Sequence, residues 1–298
     1  MTILVIGGTR FFGVHTVNAL LRDGHAVTVA TRGKTPLSFG GAVSHVAVER
    51  TDPDSMKRAF AGRHYDVVID KLGYSSNEVK YALDAIECDR YIHMSSTAVY
   101  RPKHWNTRED AFDPTDAPVL WGDRGAFSYA EGKRQAERAL WQMASNKNFV
   151  SVRYPFVVGE TDYTGRLLFY VAHVVKRIPM YVDNLDRQMG FIHEREAGEF
   201  MAHLVTADCT GGINGCSRGT VSLRQIIEYT EKKTGIQAIL CEDGDPAPYN
   251  GEVEYSINTE GAESVGYVFP CVEDWIWDLV DRYIEDVKGE SHASESVR

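Results

Sequence analysis

The chain has 298 residues, enough to bury roughly 75% of its unfolded surface, so one large domain, or one with a smaller lobe, is expected. No apolar run approaches the ~18 residues of a membrane span and no basic segment precedes an apolar signal core; the five cysteines lack any CxxC spacing, which points to a reduced, cytoplasmic protein without a disulfide framework or metal site. A formal net charge of -10 argues against a nucleic-acid surface.

The first thirteen residues, MTILVIGGTRFFG, organise the rest. Ile3, Leu4, Val5 and Ile6 are the kind of branched apolar run that is buried on both faces of a parallel sheet. The run breaks at Gly7 and Gly8, and a helical pattern follows with Phe12, Val17, Leu20 and Leu21 on one face. Strand, glycine turn and helix form the entry to a dinucleotide-binding unit, where glycines let the backbone approach a pyrophosphate at the helix N-terminus. The spacing is Gly7-x-x-Arg10-x-x-Gly13, with arginine in the place of a middle glycine. An ordinary strand-to-helix turn is the alternative; position at the chain start, between strand and helix, favours the cofactor turn. Thr9, Arg10, Phe11, Phe12 and the flanking Gly7 and Gly13 are therefore expected to contact a cofactor.

Strand-like segments follow at 25–30, 43–48, 66–70, 90–94 and 149–153, with helical patterns such as 54–61 and 77–86 between them. That order predicts βαβ units and a doubly wound parallel sheet of the Rossmann type. From about Thr161 the rhythm changes to helices, short strands and polar loops. Residues 1–160 are expected to form mainly the NAD(P)-binding domain, 161–290 mainly a substrate-binding lobe, and 291–298 a frayed polar tail.

The second strand ends in Thr31-Arg32-Gly33-Lys34, where an NAD-binding unit carries an acidic ribose clamp. Two cations and no carboxylate suit a 2'-phosphate, which Arg32 can pair with bidentately while Lys34 and Arg10 add to the field. NADP is expected ahead of NAD. Glu49, at the end of the third strand, is a candidate acceptor for the adenine amino group, and Leu72, just past the fourth, joins the cofactor set.

Chemistry belongs where the later strands end. The fifth runs into Ser95-Ser96-Thr97, and a helical stretch follows with Tyr129 and Lys133 four residues apart on one face. The same spacing at Tyr229 and Lys233 reads as a chance match on an amphipathic C-terminal helix. Tyrosine titrates near pH 10, so exchanging protons near neutrality requires a shift of about two to three units. Lys133 could stabilise the phenolate and hold the nicotinamide ribose, and Ser96 could hydrogen-bond the reacting oxygen.

The segments GGTRFFG at 7–13, SSTAVY at 95–100, YAEGK at 129–133 and VRYPFVVG at 152–159 resemble the extended short-chain dehydrogenase/reductases, the NAD-dependent epimerase/dehydratase family. Weaker likeness continues through 191–197 and 213–215, so nearly the whole chain is covered. The resemblance implies Ser96, Tyr129 and Lys133 as the catalytic set, and Pro155, Val157 and Val158 beside the nicotinamide. Thr97-Ala98 stands where the family's dehydratases place Asp-Glu, which disfavours dehydration. The GGTR turn and the Thr-Arg-Gly-Lys after the second strand are similar to chloroplast stem-loop RNA-binding proteins and their bacterial relatives. That branch can lack the tyrosine, and Tyr129 is present here.

Two functions follow. One is an NAD(P)-dependent oxidoreductase or epimerase acting on a small carbonyl or carbinol substrate, possibly a nucleotide sugar. The other is a cofactor-sensing or RNA-binding module that keeps only the fold; its best basic-aromatic patch, YRPKHW at 100–105, reads rather as the substrate mouth. His93 reads as packed in a strand, His193 with Glu194 and Glu196 as a helix start, and Trp275 with Trp277 as packing of the last helix. Ala136, Leu140 and Met143, with Trp141 beside them, offer a face through which the tyrosine helix could form a homodimer.

Overall fold

The computed structural model describes residues 1–144 and 148–295. Six strands alternate with helices through the first half: β1 (Thr2–Ile6), β2 (Ala26–Thr31), β3 (Ser44–Ala47), β4 (His64–Asp70), β5 (Glu87–Ser96) and β6 (Asn148–Tyr154). The helices between them are α1 (Phe12–Arg22), α2 (Pro53–Phe60), α3 (Ser76–Ala85) and α4 (Tyr129–Ala144). Local chemistry sets several of the starts. Asp52 caps α2 by accepting from the Asp54 amide, with Pro53 pre-set at the first helical position, and Ser75 caps α3 through the Glu78 amide.

The second half adds β7 (Phe156–Val158), α5 (Arg166–Lys176), β8 (Met180–Tyr181), β9 (Gln188–Met189), β10 (Phe191–His193) and α6 (Glu194–His203). It continues with β11 (Gly211–Asn214), β12 (Val221–Ser222), α7 (Leu223–Thr234), β13 (Asp245–Pro246), α8 (Glu260–Ser264) and α9 (Ile276–Glu295). The polar tail expected over 291–298 thus continues α9 as far as Glu295, and its remainder lies outside the described residues.

The main sheet has the order β11-β6-β5-β4-β1-β2-β3, and every neighbouring pair is parallel. Its direction of growth reverses between β1 and β4, which opens a crevice at their carboxyl ends. Ile3 to Ile6 are at most 1% exposed because helices cover both faces. On one side α1 and α6 pack with Val17, Leu20, Ala197 and Phe200; on the other lie Met56, Phe60, Val79, Ala82, Ala136 and Leu140. The doubly wound sheet expected from the sequence is present. Residues past 160 return to it with β11 and α6, while α5, α7 and α9 enclose a separate apolar core around Tyr170, Phe191 and Tyr249. Among the described residues no helix is long and apolar enough to cross a membrane.

One expected surface is not a surface. Ala136 and Leu140, offered by the sequence to a symmetry mate, are fully buried against the chain's own sheet. Trp141 stays 39% exposed, its ring edge-on to Phe149 at 5.4 Å. Ala136 and Leu140 are therefore core, while Met143 is half-buried.

Helix α4 approaches the sheet's carboxyl edge more closely than a side chain would allow. A Cβ on Gly132 would stand 2.4 Å from the backbone oxygen of Tyr74. Gly132→Ala gains about 1 kcal/mol in helix propensity but forces apart two backbones, an overpacking cost of about 1–3 kcal/mol. The cost wins: the variant is expected to melt below the parent chain in a thermal unfolding scan, whereas a propensity-dominated site would melt above it.

Candidate functional site

The crevice at the switch point is a cleft of about 490 Å³. Gly7 and Gly8 begin its floor with φ of 91° and 114°, a backbone only glycine adopts at little cost. Phe11, which caps α1, holds φ 55°, and its ring meets Tyr163 edge-on at 6.0 Å. The loop after β7 thereby reaches over the glycine turn.

Of the residues singled out for a cofactor, Gly7, Thr9, Arg10, Phe11, Phe12, Arg32, Lys34, Glu49 and Leu72 all line this cleft. Gly13 sits behind the turn, packed against Gly8 and the Lys71 amine. Pro155, Val157 and Val158 do not open onto the cleft: the two valines are buried, in the sheet core and the lobe core respectively. The reason is pairing, since Val157 and Val158 lie in register with Ile192 and His193 of β10.

The lining carries six basic side chains, Arg10, Arg32, Lys34, Arg50, Lys71 and Arg124, against two acidic ones, Glu49 and Glu78. Arg50 spends its charge inside the wall, on Asp70 at 2.8 Å and beside Glu78 at 3.9 Å. Glu78 also accepts from the Tyr74 amide at 2.6 Å. Glu49 is bound to the Thr51 hydroxyl at 2.9 Å. A cleft with surplus positive charge, glycine turn and helix N-terminus has the donor set a phosphate-rich dinucleotide requires, and the residues present fit such a group.

The catalytic candidates stand just beyond the far end of the cleft, which Tyr74, Met94, Arg124 and Tyr163 close. Ser96 ends β5 and accepts from the Ala98 amide at 3.2 Å. Its hydroxyl also stands beside the phenol of Tyr129, the first residue of α4, and favours the phenolate. Lys133, one turn on, is fully buried and donates to the carbonyls of Gly73 at 2.9 Å and Met94 at 2.6 Å. The Tyr74 ring joins these parts: it lies 6.3 Å from the Tyr129 ring, with the Lys133 ammonium 4.4 Å and the Arg124 guanidinium 3.9 Å from its centre.

The electrostatics correct one sequence expectation. Tyr129 is 55% exposed, yet partial desolvation of its phenol holds it above its ordinary range, opposed by the neighbouring Ser96 hydroxyl and then by the charges of Arg166 and Arg124. Those two arginines, rather than Lys133, are the cations that act most on it. Lys133 is itself pulled down to about 7 by burial, and its ammonium is occupied by two strand-end carbonyls. In the ligand-free protein Tyr129 is thus a protonated acid.

Sequence reasoning missed Tyr74, Lys71, Arg124 and Arg166. Arg166 opens α5 and lies 5.1 Å from the Phe156 ring centre. Isolated cations carry no periodic signal; only the convergence of Arg124 and Arg166 on Tyr129 marks those two.

The other singled-out groups lie elsewhere. Tyr229 and Lys233 both bind Asp281, and Tyr229 stacks on Trp277 at 4.8 Å. His93 is buried in β5 and pulled down to about 3 by desolvation. His193 caps α6 by accepting from the Arg195 amide at 3.2 Å. Trp275 donates to Ser217 at 3.1 Å. The 100–105 patch is no open basic stripe: Tyr100 is buried, donating to Asn214, and Lys103 is paired with Glu252.

Comparison with known proteins bears on this geometry. The chain is 30% identical over 177 residues, 54% of its length and 43% of the relative's, to the chloroplast stem-loop binding protein of 41 kDa b from Arabidopsis thaliana. It is 28% identical over 243 residues, 79% of its length and 67% of the relative's, to 2'-dehydrokanamycin reductase from Streptomyces kanamyceticus. The chain thus spans less than half the length of the plant relative. Its fold is that of the UDP-glucuronic acid 4-epimerase of Bacillus cereus, solved with UDP-glucuronic acid and NAD, at TM-score 0.75, 18% identity and coverage of 97% and 99%. The UDP-glucose 4-epimerase of Thermotoga maritima superimposes at TM-score 0.75 with 15% identity, covering 96% and 99%. The model of the NAD dependent epimerase/dehydratase family matches residues 3–214, and the chain belongs to that family.

Proposed function

We propose that this chain is an NADP(H)-dependent oxidoreductase or epimerase that acts on a carbonyl or carbinol carbon, with a nucleotide sugar as the substrate class. One observation carries the reading: the Ser96 hydroxyl beside the Tyr129 phenol, with Lys133 anchored one helical turn away, stands at the end of a cation-rich cleft. The bound nicotinamide supplies or accepts the hydride. This chain's residues manage the rest. Tyr129 holds the proton that goes to or leaves the reacting oxygen, and Ser96 hydrogen-bonds the same oxygen. Lys133 keeps α4 at the strand ends. Arg124 and Arg166 face Tyr129 and have no carboxylate partner within ion-pair distance among the described residues, which suits a substrate that carries phosphate. NADP is favoured over the NAD found in the solved relatives because Arg32 and Lys34 line the cleft free of ion pairs among the described residues. The stem-loop-binding relative supports a fold-only module as the competing reading, and the first test below separates the two.

Tyr129→Phe keeps the ring and loses the proton, so turnover is expected to fall by about 10²–10⁴ while cofactor binding hardly changes. Ser96→Ala slows turnover less, and Tyr229→Phe leaves it untouched. The assay follows NADPH oxidation across a panel of carbonyl compounds and, because an epimerase returns its hydride with no net oxidation, epimer formation from nucleotide sugars. Turnover of Tyr129→Phe at the parent rate would overturn the role given to Tyr129, and a parent chain that turns over no compound of the panel would make the fold-only module the better account.

Cofactor choice is read separately by calorimetry. NADPH is expected to bind more tightly than NADH, and Arg32→Ala to weaken NADPH by about 1.5–3 kcal/mol, the range for a hydrogen bond to a charged group, while leaving NADH unchanged. Tighter NADH binding by the parent chain would sink the NADP assignment.

A further inference from the structure

Lys71 follows directly on β4, and its amide donates to the Ile6 carbonyl at 3.2 Å, which fixes its backbone beside the end of β1. From there the side chain runs beneath the glycine turn. Its ammonium lies 3.8 Å from the centre of the Phe12 ring and 3.4 Å from the Arg10 carbonyl. It presses on Gly13 so closely that a Cβ there would stand 2.2 Å from the nitrogen.

The residue is 6% exposed, and for three donors it has one long hydrogen bond. No carboxylate lies within ion-pair distance among the described residues. Asp70 points to the other side of the strand, into Arg50 and Tyr91, and Glu78 is engaged by the Tyr74 amide and Arg50. Arg10 and Arg124 share the cleft and carry the same sign. From α1 the facing groups are Phe12 and Gly13, neither titratable, while His15 turns to Glu194 at 3.7 Å. The two other buried cations described above are compensated: Lys133 by two carbonyls and Arg50 by two carboxylates. Lys71 has no such compensation.

We propose that Lys71 is a counter-ion for the diphosphate bridge of the dinucleotide, kept without a protein carboxylate so that the ligand supplies its negative charge. The inference rests on the dinucleotide reading of the cleft. A buried cation without an acid is costly in the empty protein. Burial holds Lys71 down at about 7, so near neutrality a large share of it is uncharged. A diphosphate arriving at the glycine turn favours the ammonium, and binding then draws one proton from solvent onto Nζ. The sign follows: affinity falls as pH rises above about 7, because the proton must be gathered from an ever scarcer supply. Arg32 and Lys34 read only the 2'-phosphate, whereas Lys71 reads a group common to NADPH, NADH and ADP-ribose.

Calorimetric titration of the full chain with ADP-ribose and with NADH, at about pH 7.5 in two buffers of different ionisation enthalpy, counts the protons. ADP-ribose carries the diphosphate and no nicotinamide. Uptake of about half a proton or more is expected, with affinity declining toward pH 9. In Lys71→Met the uptake vanishes and affinity for ADP-ribose, NADH and NADPH drops by a common factor of about ten or more. A parent chain that binds ADP-ribose with no proton uptake overturns the proposal without any variant, as does Lys71→Met with unchanged affinity and pH slope. A parent chain that binds none of the three overturns the dinucleotide reading, and this inference with it.

Discussion

The parts of the cleft are held together by a buried ammonium. Lys133 reaches from α4 to the carbonyls of Gly73 and Met94, just past the end of β4 and near the end of β5. Two strand ends and one helix are thereby locked in a single geometry, and Gly132 removes the side chain that would keep them apart. Because an unsatisfied buried ammonium is expensive, the arrangement strongly penalises any displacement of α4. The position of Tyr129, at the first residue of that helix, depends on this tie.

A second buried network fixes the same face of α4 one turn further on. Arg153 on β6 forms a paired contact with Glu137 at 2.8 Å, while Ser95 also donates to Glu137. The same guanidinium donates to the carbonyls of Glu109 and Phe112 and to the Tyr100 hydroxyl. Removing one partner of such a pair typically costs about 3–5 kcal/mol, although an apolar replacement of the whole set can be neutral. Its contribution is therefore to register: the long connection between β5 and α4 folds back over the sheet in one way only.

Charge is distributed unevenly for a purpose that the net value hides. The chain is acidic overall, yet the switch-point cleft is lined by a majority of cations. A focused positive field in a low-dielectric cleft favours an anion there. Within that field the cations differ in state. Arg10, Arg32 and Lys34 are solvated, while Lys71 is buried and lowered.

The sequence alone determined the parallel sheet, the glycine turn and the order Ser96, Tyr129, Lys133. Each of these is local: a run such as Ile3 to Ile6 has no polar face to present, and β5 and α4 follow from periodicity. Sequence could not say which cations would be buried, because burial depends on partners far along the chain. Lys71 is lowered by burial against the end of β1 at Ile6 and the start of α1 at Phe12, some sixty residues away, and Arg166 meets Tyr129 only through the fold of the lobe. Nor could a helical stripe say what covers it. Ala136 and Leu140 have the same spacing whether they face a second copy or their own sheet, and the packing of α4 on β5 and β6 decided for the sheet.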